Sequence, residues 1–141
     1  MAVARRNAER NGVQDRIRFV KADLTKDRIL DDERFDVIVS NPPYVKTAVV
    51  DTLEVECSYE PRIAFDGGED GMIFYRLIVN RFAACLSEGG CFVFEIGYDQ
   101  ANDMRELAES CGFDCQIYKD YGKNDRVAVL HPNRKDECHE I

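Results

Sequence analysis

The sequence has 141 residues, 45% of them hydrophobic, and a formal net charge of −8. This length predicts one domain, and this hydrophobic fraction is enough for a packed core. The negative charge argues against a protein that binds phosphate backbones directly, because such binding needs clustered Lys and Arg. The six cysteines include no CxxC pair, and no apolar run reaches 18 residues. We therefore expect no metal site, no membrane partner and a cytoplasmic location with reduced thiols.

The predicted elements alternate between helices and strands along the chain. In order, we predict a helix over residues 1–11, a strand over 16–22, a loop or short helix over 25–33, a strand over 35–40, an irregular insertion over 46–65, a turn over 67–71, a helix over 72–86, a strand over 91–96, a helix over 100–110, and strands over 113–119 and 126–130. This alternation favours an α/β fold with a mainly parallel sheet, whose last two strands are antiparallel because a short turn joins them. Residues 1–132 are assigned to one domain and residues 133–141 to a polar tail.

The tetrapeptide Asn41-Pro42-Pro43-Tyr44 directly follows the predicted strand 35–40. Two prolines make this loop rigid, and ligands bind at the carboxyl ends of strands in open α/β sheets. The Asn41 side-chain carbonyl and the Pro42 backbone carbonyl can each accept a hydrogen bond, and Tyr44 offers a flat face for stacking. These groups suit a planar amide or amino group. The alternative interpretation is an ordinary proline-stiffened turn.

Further motifs extend the pattern to most of the chain. They lie at residues 59–71, 74–76, 89–90, 94–97, 100, 120–122 and 126–127. Together with the Asn-Pro-Pro-Tyr loop they resemble the protein-(glutamine-N5) methyltransferases of the HemK/PrmC type, which methylate the glutamine of the GGQ motif in peptide-chain release factors. The resemblance runs from about residue 3 to about residue 130. It implies a Rossmann-like class I methyltransferase fold, a release factor as partner and S-adenosylmethionine as cofactor.

The resemblance also implies roles for individual residues. Asn41 and Pro42 would be the catalytic residues, accepting hydrogen bonds from the NH2 group of the glutamine amide. Pro43 and Tyr44 would complete the substrate pocket around its carboxamide. Positioning of the amide nitrogen would supply most of the rate, because its lone pair is delocalised into the carbonyl.

The cofactor site implied by the resemblance involves Asp23, Leu24 and Asn41. Asp23 is expected at the end of the strand 16–22, where its carboxylate would accept from the exocyclic N–H of adenine. The backbone N–H of Leu24 would donate to the adenine ring. The alternative interpretation of Asp23 is a cap for a helix or turn.

The resemblance covers only the carboxyl-terminal part of a catalytic domain. In that family, a glycine-rich loop and two strands come before the helix that matches residues 1–11, and a small helical domain comes before them. We therefore expect a truncated domain that lacks the first two strands and part of the cofactor site. Its exposed sheet edges favour a homodimer.

Two other functions remain open at this point. Methyltransferases that act on the amino groups of adenine or guanine in nucleic acid share the Asn-Pro-Pro-Tyr loop, because a flipped base also presents a planar NH2 group. The acidic composition and the motif at residues 59–71 argue against this function. The second alternative is a non-catalytic fragment that associates with itself.

Overall fold

The computed structural model describes residues 1–27, 29–30, 32–52 and 61–133. The helices are α1 (Ala2–Arg10), α2 (Thr47–Val50), α3 (Ile73–Phe82) and α4 (Ala101–Ser110). The strands are β1 (Phe35–Ser40), β2 (Leu86–Glu95), β3 (Phe113–Lys119) and β4 (Asp125–Pro132). Of the predicted tail, the structure describes only Asn133, whose N–H donates to the Gly112 carbonyl at 2.9 Å.

The four strands form one sheet in the order β1-β2-β4-β3. β1 and β2 are parallel, and β4 lies antiparallel between β2 and β3. Three strands therefore run in one direction and β4 runs in the other. This confirms the predicted α/β sheet and its antiparallel final pair. It also places the carboxyl ends of β1 and β2 side by side.

The hydrophobic core lies between α3, α4 and one face of the sheet. Alternate residues of β2, Phe92 and Phe94, are fully buried on this face, as expected for a strand with one covered side. The ring of Tyr75 from α3 meets Phe94 edge-on, with a centroid distance of 5.4 Å. Phe113 of β3 extends the aromatic cluster, with its ring centroid 5.5 Å from that of Phe92. This packing fixes α3 and the end of β2 relative to each other.

The opposite face of β1 is open to solvent. Val37 and Val39 alternate with the half-buried Ile38 and are 51% and 71% exposed. β1 also forms one edge of the four-stranded sheet. An apolar, unpaired edge of this kind is available to another strand.

The predicted strand over residues 16–22 is wrong. A short 3-10 turn, Gln14–Arg16, is followed by backbone without regular structure, and Ile17 and Val20 are 42% and 45% exposed. A strand needs a neighbour to pair with its N–H and C=O groups, and the described residues supply none beside this segment. Alternation of apolar and polar residues shows that a segment could form a strand with one buried face. It does not show whether another strand lies beside it.

The predicted boundary between α3 and β2 is also wrong. α3 ends at Phe82, and β2 begins at Leu86 and includes Gly89 and Gly90, whereas we predicted a helix to residue 86 and a strand only from residue 91. Two residues along β1 correspond to five along β2 here, because Phe35 pairs with Leu86 and Val37 pairs with Cys91. Gly89, with φ +75°, lies inside this bulge. The glycines therefore mark an irregular strand start.

No helix in the described ranges is both long and apolar enough to cross a membrane.

Candidate functional site

The Asn-Pro-Pro-Tyr loop begins directly after β1, at the carboxyl end of the strand. Asn41 is exposed, Pro42 is buried, and Pro43 and Tyr44 are half-buried. The loop starts from a fixed point, because Ser40 pairs with Phe94 at the end of the parallel ladder. The structure therefore presents the Asn41 side chain to solvent at the start of an anchored loop.

The segment after the loop is tied to the turn that precedes α3. The N–H of Val45 donates to the Phe65 carbonyl at 2.9 Å, and the N–H of Gly67 donates to the Val45 carbonyl at 2.8 Å. A Cβ at Gly67 would lie 2.7 Å from the Tyr44 Cα and 2.8 Å from the Pro43 carbonyl oxygen. Only glycine fits at position 67, because the two backbone segments approach each other so closely there. The two segments are therefore packed directly against each other.

Asp66 connects the same two segments through its side chain. Its carboxylate accepts from the Thr47 hydroxyl at 2.6 Å and from the Gly68 N–H at 3.1 Å. The Thr47 hydrogen bond, more than any other contact, lowers the pKa of Asp66. Arg62 forms ion pairs with Asp51 and Asp66.

The Tyr44 side chain reaches across to the end of β2. Its hydroxyl donates to the Glu95 carboxylate at 3.3 Å. Burial raises the pKa of the Tyr44 phenol, the negative Glu95 raises it further, and the positive Arg126 opposes them. Arg126 is itself held by the Ile96 carbonyl at 3.2 Å and by Asp120 at 3.3 Å. The ring of Tyr44 is therefore oriented by charged groups from two other strands.

From the sequence, we assigned no individual role to Gln100 or Glu95. Gln100 is 1% exposed and contacts the Tyr44 carbonyl at 3.1 Å. Both residues belong to the motifs at 94–97 and 100, so their positions were recognisable. Their contacts with the loop were not, because these depend on how β1 and β2 align.

Asp23 and Leu24 begin a short turn, and Leu24 packs against the hydrophobic core. The Asp23 carboxylate accepts from the Thr25 hydroxyl at 2.6 Å and from the Thr25 N–H at 2.9 Å, and its other oxygen lies 3.3 Å from Lys26. The Thr25 hydroxyl contributes most to lowering the pKa of Asp23 to about 2. The Leu24 carbonyl accepts from Arg81 at 2.6 Å. The turn-cap interpretation of Asp23 thus describes its observed contacts.

These contacts do not use all the hydrogen-bonding groups of Asp23 and Leu24 within the described residues. The Asp23 side chain is exposed, and a carboxylate has about four lone-pair sites. The Leu24 N–H donates to no residue in the part of the chain that the structure describes. An exposed acceptor next to a free donor fits the edge of a heterocycle such as adenine. Within the described residues, no hydrogen bond connects Asp23 to the Asn41 loop, and no group of three His, Cys, Asp or Glu residues is arranged to hold a metal.

Residues 1–52 match the family model described as an RMKL-like, methyltransferase domain. The chain is 44% identical over 129 residues to a release factor glutamine methyltransferase of Geobacter sulfurreducens, covering 90% of this chain and 44% of that protein. It is 41% identical over 123 residues to the Clostridium botulinum protein of the same name, covering 86% of this chain and 44% of the relative. A ribosomal protein uL3 glutamine methyltransferase of Francisella tularensis is 36% identical over 111 residues, 79% of this chain and 33% of that protein.

The chain thus spans less than half the length of the curated relatives it matches. Both kinds of relative carry glutamine methyltransferase in their names.

Proposed function

Because this chain is related along nearly its whole length to bacterial release factor glutamine methyltransferases, we propose that it takes part in methyl transfer to the side-chain amide nitrogen of a glutamine in a peptide-chain release factor. The observation that supports this most is the anchored Asn-Pro-Pro-Tyr loop at the carboxyl end of β1. The chain spans less than half of these relatives, so the activity belongs to the chain alone or to a longer protein that contains it.

The substrate amide is proposed to bind at Asn41 and Pro42. The Asn41 side-chain carbonyl and the Pro42 backbone carbonyl accept its two N–H groups, and Pro43 and Tyr44 enclose its carboxamide. Two accepted hydrogen bonds increase electron density on the nitrogen and stabilise the positive charge that develops there in the transition state. The rigid prolines keep this acceptor pair in place before substrate arrives, which lowers the entropic part of the barrier.

The methyl donor is proposed to be S-adenosylmethionine, which supplies a sulfonium methyl group when bound. Asp23 would accept the exocyclic N–H of its adenine, the Leu24 N–H would donate to the ring, and Asn41 would contact the cofactor as well as the substrate. The exposed Asp23 carboxylate and the Leu24 N–H, which has no acceptor among the described residues, support this assignment. A release-factor substrate agrees with the cytoplasmic location expected from the sequence.

Two substrate classes compete with a release factor. The uL3 methyltransferase relative points to a ribosomal protein glutamine, which uses the same amide chemistry. Nucleic acid amino groups are disfavoured because Asp and Glu outnumber Lys and Arg by 27 to 19.

The test is a methylation assay with isotope-labelled S-adenosylmethionine and four acceptors offered separately: release factor, protein uL3, DNA and RNA. Calorimetric titration with S-adenosylmethionine precedes it. We expect label on a glutamine of release factor, lost in Asn41→Ala and kept in the matched surface variant Asn102→Ala. Label on DNA or RNA, or equal transfer by Asn41→Ala, would refute the assignment. Donor binding without transfer would limit the chain to a cofactor-binding part.

We also propose that the chain pairs with a second copy through the edge of β1. The proposal is supported by the exposed Val37 and Val39 and by the side of β1 that pairs with no strand in the described part of the chain. The area that a partner would cover is apolar, which favours association in water.

A further inference from the structure

Among the described residues, Gln100 carries a carboxamide that is almost completely buried, with 1% of the residue exposed. It lies immediately before α4, in the loop that follows β2. A buried carboxamide without partners costs about 1–3 kcal/mol, so its contacts determine whether it can be kept. Neither methyl transfer nor cofactor binding, as proposed above, assigns it a role.

Both N–H groups and the oxygen of the Gln100 carboxamide have hydrogen-bond partners. Its Nε2 donates to the Tyr44 carbonyl at 3.1 Å and to the Gly71 carbonyl at 3.2 Å. Its Oε1 accepts from the Gly97 N–H at 2.8 Å and lies 3.5 Å from the oxygen of the Tyr75 hydroxyl, whose proton is donated to the Glu95 carbonyl. One side chain therefore joins the loop after β1, the turn before α3 and the loop after β2.

Two glycines lie so close to this carboxamide that a larger residue at either position would contact it too closely. A Cβ at Gly71 would lie 2.8 Å from the Gln100 Nε2, and a Cβ at Gly97 would lie 3.0 Å from its Oε1. Glutamine combines two donors with an acceptor at this length of side chain. A glutamate of the same shape would put a carboxylate against two carbonyl oxygens, so it could not make the same contacts when ionised.

The hydrogen bond to the Tyr44 carbonyl restricts the backbone of the whole loop. Ser40 is fixed on one side by pairing with Phe94, and Gln100 fixes Tyr44 on the other. Between them, Pro42 and Pro43 have their φ angles locked by their rings. With both ends held and two torsions fixed, the Asn41 backbone and the Pro42 carbonyl have little freedom to change direction.

We propose that Gln100 is a positioning residue, which fixes the Asn41 and Pro42 acceptors by holding the Tyr44 carbonyl from the buried side. This inference rests on the proposed function for its catalytic consequence. Its structural part, the clamp on the loop, is independent of that function. A binding group displaced by about 1 Å costs on the order of 100-fold in rate, so a clamp of this kind affects catalysis without touching the substrate.

The clamp is tested first in the unaltered chain. NMR measures how fast the side-chain NH2 protons of Gln100 exchange with water, with the exposed Gln116 as internal reference. We expect the Gln100 protons to exchange at least tenfold more slowly. Equal exchange at Gln100 and Gln116 overturns the proposal, and this result needs no variant that has to fold.

The second test compares Gln100→Glu with the matched surface variant Gln116→Glu. In Gln100→Glu, we expect lower hydrogen-exchange protection of the backbone amides of residues 44–50 and 67–72 at pH 7. Protection should return towards that of the unaltered chain as the pH is lowered, because the protonated acid again donates to a carbonyl. Gln116→Glu should match the unaltered chain at both pH values. A Gln100→Glu loop that is protected at pH 7, or that shows no recovery on acidification, contradicts the clamp.

The catalytic consequence is read from release-factor methylation. We expect kcat to fall about 10- to 100-fold in Gln100→Glu at pH 7, with KM for S-adenosylmethionine unchanged and with recovery at lower pH. If the unaltered chain transfers no methyl group, the proposed function fails for this chain, and the exchange experiments still decide the clamp. If the unaltered chain is active and Gln100→Glu loosens the loop without lowering kcat, the positioning role is refuted.

Discussion

The hydroxyl of Tyr44 donates a 3.3 Å hydrogen bond to the carboxylate of Glu95, which lies 51 residues further along the chain. This contact joins the loop after β1 to the last residue of β2. The Glu95 backbone carbonyl also accepts from the Tyr75 hydroxyl at 2.7 Å. Glu95 thus connects the proposed substrate loop with α3 through two different groups.

The Tyr44–Glu95 bond should appear as coupling in a double-mutant cycle. Tyr44→Phe and Glu95→Gln should each lower the free energy of unfolding by about 1 kcal/mol, since a typical hydrogen bond in a protein contributes on this order. The double variant should lose less than the sum of the two. Urea unfolding followed by circular dichroism measures all three. Additive losses would show that the contact contributes nothing to stability.

Tyr44 and Tyr75 should make the fold sensitive to alkaline pH. Burial is the main cause that raises the pKa of both phenols above the ordinary value of 10.0. The folded state therefore keeps the protonated form, and its stability is complete below pH 10 and falls as the pH rises above it, because the unfolded chain ionises first. Unfolding curves at pH 8 and pH 11 test this. Tyr75→Phe should reduce the loss between these pH values, and an unchanged loss would contradict the assignment.

Gly71 should tolerate substitution far less than Gly112, although their backbone angles match. Their φ angles are +77° and +78°, but a Cβ at Gly71 would lie 2.4 Å from the Tyr44 carbonyl oxygen, whereas Gly112 has nothing within 4 Å. Gly112→Ala should cost about 1 kcal/mol from backbone strain alone, and Gly71→Ala should cost at least twice that. Thermal or urea unfolding compares them. Equal losses would show that the loop moves freely away from Gly71.

Asp70 should contribute to stability only above acidic pH. Its carboxylate accepts from Arg76 at 2.8 Å and from the Met72 N–H at 3.0 Å. The Arg76 hydrogen bond is the largest cause that lowers the pKa of Asp70 from 3.8 to about 2. The contribution is complete above pH 3.8 and is lost as the pH falls towards 2.

The measurement for Asp70 compares the unaltered chain with Asp70→Asn by urea unfolding between pH 2 and pH 6. Asp70→Asn should be less stable at pH 6, and the difference should shrink towards pH 2. The neighbouring exposed Glu69→Gln serves as the control and should show no such convergence. A difference between Asp70→Asn and the unaltered chain that stays constant with pH would argue against the ion pair.

The open edge of β1 should control self-association. Val39→Lys places a charge on the exposed face and should shift the chain towards monomer, measured by sedimentation at several concentrations. Ile63→Lys is the control, because Ile63 is 75% exposed and lies outside the sheet. If the unaltered chain is monomeric at every concentration, or if both variants dissociate equally, pairing through β1 is wrong.

Local patterns in the sequence were enough to predict most of the elements. The apolar runs gave β1 and β3 with their observed ends, and helical spacing gave α4 to within one residue. Residues 16–22 have the same alternation as a strand but form none, because a strand needs a partner that local pattern does not reveal. The Asn41–Tyr44 loop was also recognisable from residue types alone, because prolines act on their own backbone.

The sequence by itself determined the type of fold, the family it resembles and the loop to examine, since each depends on residues close together in the chain. The tertiary structure decided what holds that loop. Gln100 meets Tyr44 56 positions away, and Glu95 meets it from the end of β2. Both contacts exist because β1 and β2 pair in parallel with one particular register. That register depends on the bulge at Gly89 and on packing of α3 and α4, which act between segments far apart in sequence.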